Sequence, residues 1–181
     1  SVLGLDHISG GTSGSAFPKG VTTVVWMASD ASNNTRTCSF RIIVSDTQAP
    51  TFMSCPGNQT VFTAPGTCAS APLTYATPTA TDNCGAATVV RIGGPASGAM
   101  FPSGNTVVTW RAIDGSSRSS TCTFLVTVTD NELPTIHCPN SIVATGSGTP
   151  CAATVFYASP TASDNCSGAL TPFLVSGLGS G

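Results

Sequence analysis

Charge is what this sequence lacks most. Only 8% of its 181 residues are Asp, Glu, Lys or Arg, where an average soluble protein carries about 25%. Lys19 is the single lysine and the net charge is -2. That balance excludes the basic face that nucleic-acid binding needs. Low charge with 40% hydrophobic residues also excludes a disordered, self-solvating chain. No apolar run reaches the roughly 18 residues of a membrane span, and no signal peptide is visible. His7 and His137 stand alone, without His-x(3–5)-His spacing, and no Cys-x-x-Cys occurs, so a zinc site is not expected. A Gly-x-Ser-x-Gly elbow, a phosphate loop and a paired Asp/Glu set are missing too. The sequence therefore reads as non-enzymatic.

Ser, Thr, Gly and Pro fill the polar positions instead. A surface so poor in charge is sticky unless glycans or neighbouring protein cover it. The 8 cysteines are an even set and read as a disulfide framework, which places the chain in an oxidising, extracellular compartment.

The chain repeats itself. The heptapeptide PTATDNC at 78–84 returns as PTASDNC at 160–166. Phe17-Pro18-x-Gly20 returns as Phe101-Pro102-x-Gly104, and Trp26, Asp30, Cys38, Phe40, Asp46 and Pro50 return as Trp110, Asp114, Cys122, Phe124, Asp130 and Pro134, all displaced by 84 (110 − 26). Cys55-Pro56 and Cys68 return as Cys138-Pro139 and Cys151, displaced by 83 (138 − 55), and Cys84 returns as Cys166, displaced by 82 (166 − 84). Two single-residue deletions account for the drift. The expected division is a back part of a first unit at 1–47, a complete unit at 48–131 and a front part of a third at 132–181.

Inside each unit the period is two. Cys38, Phe40, Ile42 and Val44 alternate with polar or mixed residues, as do Cys122, Phe124, Val126 and Val128; this is a half-buried strand, with Cys38 and Cys122 on the buried face. Residues 21–29 and 105–112 read as the preceding strands, and shorter strands are expected at 51–54, 60–63, 69–75 and 87–92. Trp26 and Trp110 hold one strand position in two units, which points to core packing. No segment has a helical period. The expected fold is all-β, a tandem of immunoglobulin-like β-sandwich modules stapled by disulfides.

The order Cys-Pro, Cys, Asp-Asn-Cys, Phe-Pro-x-Gly, aromatic strand, Ala-x-Asp, Cys-x-Phe and Asp-x-x-x-Pro resembles the HYR (hyalin repeat) module. The resemblance covers almost the whole chain. It implies extracellular immunoglobulin-like domains in tandem arrays of matrix, adhesion and surface proteins, without enzymatic activity. Many such modules carry a further cysteine pair, one of them near the position of Trp26 and Trp110, which is absent here.

Four cysteines per unit allow three pairings, and sequence does not choose between them. Strand order in a sandwich suggests Cys55–Cys84, Cys68–Cys122 and, in the third unit, Cys138–Cys166. Cys38 and Cys151 then need partners outside their own partial units, in adjoining sequence or in a neighbouring copy. The carboxylates of Asp46, Asp82, Asp114 and Asp130 are candidates for calcium, which takes six to eight oxygens; the competing reading, which we favour, is that these Asp residues stabilise turns. Asn33 and Asn58 are glycosylation candidates, whereas a disulfide at Cys166 would hinder Asn165. No cofactor beyond that calcium is expected. The function expected is a structural segment of an extracellular filament or matrix, whose partners are adjoining HYR-like modules or identical subunits, with covalent glycans. The alternative is an adhesion module binding a protein or glycan through loops such as 1–16 and 91–100, which differ between units.

Overall fold

Strand-forming residues in alternation, cut by Gly, Pro and Asn turns, give twelve strands and no helix among the described residues, which in this computed structural model are 2–149 and 151–178. Ser1, Pro150 and residues 179–181, which the expected outer units include, lie outside the described residues. The strands are β1 (Val2–Ser9), β2 (Gly20–Asp30), β3 (Thr35–Val44), β4 (Thr51–Ser54), β5 (Gln59–Phe62), β6 (Thr79–Thr81), β7 (Thr88–Gly93), β8 (Gly104–Ile113), β9 (Ser119–Thr129), β10 (Thr135–His137), β11 (Thr161–Asp164) and β12 (Gly168–Leu170). The sheets run β1-β2-β3, β4-β6, β5-β9-β8-β7 and β10-β11-β12.

The pairings repeat as the sequence does. Antiparallel β4 and β6 place Thr51 opposite Thr81 and Phe52 opposite Ala80. Antiparallel β10 and β11 place Thr135 opposite Ser163 and Ile136 opposite Ala162, the equivalent residues. Residues 69–75, expected as a strand, form only isolated bridges at Ala69, Ser70 and Leu73; Pro72 removes a ladder donor there.

Two compact units divide the described residues, and the middle repeat contributes to both. One holds 2–54, 79–90 and 111–121; the other holds 55–78, 91–110 and 122–178. The second unit contains the main core of Tyr75, Phe101, Val108, Phe124, Val126 and Val128, with Val61, Leu73 and Trp110 packed on it. Tyr75 sets its ring edge-on to Phe124, with centroids 5.0 Å apart, and donates its hydroxyl to the Pro95 carbonyl.

In the first unit the same residue types have no such cover. Phe40 is 51% exposed where its equivalent Phe124 is 2% exposed. Cys38, expected on a buried face, is exposed, whereas Cys122 is buried. The reason is what lies over the strand. Tyr75, Val61 and Leu73 come from the front of the middle repeat, and residues 1–47 carry no counterpart of them. Trp26 is half-buried, with the His7 ring edge-on to it at 5.3 Å.

Candidate functional site

Aspartate followed by small polar residues folds on itself, because the carboxylate accepts the backbone N–H two residues on. All six repeat-equivalent aspartates do this. Asp30 accepts from the Ser32 and Asn34 N–H groups, and its equivalent Asp114 from Ser116 and Arg118. Asp46 accepts from Gln48 and Asp130 from Glu132. Asp82 accepts from Cys84 at 2.9 Å and Asp164 from Cys166 at 3.0 Å. The side-chain amide of Asn34, then the two backbone donors, hold Asp30 below the ordinary carboxylate range. The Ser167 and Cys166 N–H groups do the same for Asp164.

Five of these turns gather at two equivalent joints between repeats, those of Asp46, Asp82 and Asp114 at the first and those of Asp130 and Asp164 at the second, whereas the Asp30 turn closes the β2–β3 hairpin. At the first, Lys19 donates to Asp46 Oδ2 at 3.1 Å and Ser116 Oγ donates to the same oxygen at 3.3 Å. Burial pushes Asp46 up, but the Lys19 ammonium and the Gln48 N–H outweigh it and hold the carboxyl below its usual value. Lys19 is raised in return, chiefly by that hydrogen bond. Asp46, Asp82 and Cys84 bring one ligand atom each to within 4.8 Å of one another.

At the second joint Asp130 Oδ1 accepts from Thr63 Oγ1 at 3.2 Å and from Asn165 Nδ2 at 3.4 Å. Asn165 Nδ2 also donates to the Thr67 carbonyl at 2.8 Å, and the Gly66 N–H donates to Glu132 Oε2 at 2.7 Å. Beside these bonds Cys68 is joined to Cys166. This loop-to-turn contact, closed by a disulfide, ties the middle repeat to the third.

The disulfides correct the pairing expected from strand order. Cys55 bonds Cys122, and Cys68 bonds Cys166; the pairs Cys55–Cys84, Cys68–Cys122 and Cys138–Cys166 do not form, and Cys38, Cys84, Cys138 and Cys151 are unpaired. Register explains the first bond. Parallel β5 and β9 pair Gln59 with Val126, a separation of 67 (126 − 59), and Cys55 stands the same 67 residues before Cys122. The Asn58 side-chain oxygen continues that register by accepting from the Leu125 N–H at 2.9 Å.

The four calcium candidates are divided by the fold. Asp46 and Asp82 meet at the first joint and Asp130 belongs to the second. Asp114 is buried, with Oδ1 taken by its turn and Oδ2 lacking a hydrogen-bond partner among the described residues. Two carboxylates, a thiol and a lysine ammonium do not make the oxygen-rich shell of calcium; the donor set fits a turn with an ion pair. Asn33 is exposed at the tip of the β2–β3 turn in a left-handed conformation (φ 63). Asn58 is exposed and bonded through Oδ1, not through Nδ2, the atom that carries an N-linked sugar. Asn165 uses its Nδ2 at the joint.

Lys19, Ser116 and Glu132 belong to these joints and the sequence pattern did not single them out. Gly10 and Gly94, displaced by 84 (94 − 10), were also open to the repeat. At positive φ, a Cβ on Gly94 would lie 2.7 Å from the Val107 carbonyl oxygen, and one on Gly10 would lie 2.8 Å from that of Thr23.

The HYR domain model matches residues 6–44 and 45–128. Hyalin of Strongylocentrotus purpuratus is 38% identical over 161 residues, 83% of this chain and 13% of that protein. Hyalin of Lytechinus variegatus is 33% identical over 156 residues, 83% of this chain and 29% of that protein. The chain thus spans less than a third of either relative. Among solved structures, protocadherin gamma B2 extracellular cadherin domains 1–5 match 82% of this chain and 32% of theirs, at 17% identity and a TM-score of 0.41. No described helix is long and apolar enough to cross a membrane.

Proposed function

The chain belongs to the HYR domain family, and from that premise we propose that it is a structural, non-enzymatic segment of an extracellular tandem array that forms or lines a filament or matrix. The observation that carries this reading is the second joint. A loop of one repeat is bonded to the Asp-Asn-Cys turn of the next by Cys68–Cys166, with Asn165 and Glu132 holding the loop beside it. A covalent bond across a joint resists the bending and separation that a single connecting strand allows.

Composition supports the same reading. The charge-poor surface is covered by adjoining modules and by glycans at Asn33 and Asn58. The exposed Phe40 and Ile43 on β3, which pairs only with β2 among the described residues, are covered by the front part of a neighbouring HYR-like module. Electron microscopy of native material, with glycans retained, tests the proposal. Linear particles with a regular module spacing are expected. Dispersed globular particles that bind a protein or glycan through 1–16 or 91–100, and lose it on loop exchange, would instead favour a recognition module.

A further inference from the structure

Resting on the tandem-array reading, we infer that Cys84 is a covalent docking site for the second framework cysteine of another HYR module, so that the bond seen between Cys68 and Cys166 is one rung of a ladder crossing every joint. The occupant we assign is the second-cysteine loop of a neighbouring HYR module, the counterpart of the Cys68 loop that bonds Cys166.

Cys84 stands where Cys166 stands. Its N–H donates to Asp82 Oδ1 as that of Cys166 donates to Asp164 Oδ1, so the two thiol carbons leave the same turn, and both residues are half-buried. At the second joint the Cys68 loop is held by Glu132 and Asn165 beside the Cys68–Cys166 bond. The equivalents at the first joint are Gln48 (132 − 48 = 84) and Asn83 (165 − 83 = 82). They line an open cleft of about 270 Å³ with Ala49, Thr51, Thr81 and Asp82. Gln48 keeps an acceptor oxygen for a loop N–H, and Asn83 keeps the amide donor for a loop carbonyl. The cleft thus presents the same two kinds of hydrogen-bonding side chain, on the turn whose next residue is Cys84.

The two observed bonds, moved by one repeat, also account for every unpaired cysteine. Cys84 is of the Cys166 type and Cys151 of the Cys68 type; Cys38 is of the Cys122 type and Cys138 of the Cys55 type. Each therefore asks for a partner of defined type, Cys84 for a Cys68-type thiol and Cys38 for a Cys55-type thiol. Forming a rung joins two thiols into one S–S bond. The two electrons and two protons that leave these thiols pass to a thiol–disulfide oxidant, whose own disulfide opens to two thiols.

The test is peptide mapping of native protein by mass spectrometry without reduction, after free thiols are alkylated in acid. Cys84 is expected fully bonded to a cysteine of the Cys68 type. A partner peptide outside this sequence assigns the adjoining module of a longer polypeptide; a partner at Cys151 assigns a second copy; both uphold the rung. An alkylated Cys84, or Cys84 bonded to a cysteine of any other type, overturns it. The readout is a peptide and not an assembly. A linear array with alkylated Cys84 would therefore sink the rung alone, and dispersed particles in the microscope would sink the array reading.

Discussion

Single aspartates set the joints of this chain, because a short carboxylate can close a turn on its own backbone. The cost of that device appears in acid. Asp30, Asp46 and Asp164 are held below the ordinary value of 3.8 in the folded chain. Their contribution to stability is complete above 3.8 and is lost as pH falls through the lower folded values, since the unfolded chain then binds protons more readily. Thermal melts followed by circular dichroism are expected to be flat from roughly pH 7 to 5 and to fall below about pH 4. Asp164→Asn, which keeps an acceptor oxygen without the charge, should make the fall shallower. An unchanged melting temperature down to pH 2 would refute this. The acidic pairs were legible from their equivalence in the repeat, and so was turn chemistry. The Lys19–Asp46 ion pair was not, since its two members stand 27 residues apart and only folding joins them.

Strands and their connections carry the next level of specification. Alternating apolar residues placed β3 and β9, and repeat equivalence made the antiparallel β4–β6 and β10–β11 pairs copies of each other. The strand expected at 69–75 reduces to bridges because periodicity does not register a missing N–H at Pro72. The connection leading into β8 depends on Gly94, whose φ of +76 and close approach to the Val107 and Val108 backbone leave no room for a methyl group. Gly94→Ala is therefore expected to destabilise the protein by more than about 1 kcal/mol in urea titration. Gly57→Ala, where a Cβ meets open space at an ordinary φ, is the control and should change little. Equal effects of the two substitutions would show that the close approach does not matter.

At the scale of the whole molecule the disulfides decide what one repeat is and what joins two. Cys55–Cys122 spans 67 residues, and closing a loop of that size restricts the unfolded chain by about 4 kcal/mol. The double variant Cys55→Ser with Cys122→Ser should lose roughly that much stability in urea titration while Cys68–Cys166 persists in peptide maps. A loss below about 1 kcal/mol would mean the register of β5 and β9 holds the repeat without the bond. The sequence by itself determined the all-β class, the repeat, the turns and the HYR family, because each rests on residue types at short, regular spacings. The pairing of the cysteines, the exposure of Cys38 and Phe40 against the burial of Cys122 and Phe124, and the cleft at Gln48 and Asn83 were decided only by tertiary structure. Those properties depend on which distant segment lies over a strand or turn. Two residues equivalent in the repeat differ in burial when only one of them has its covering segment.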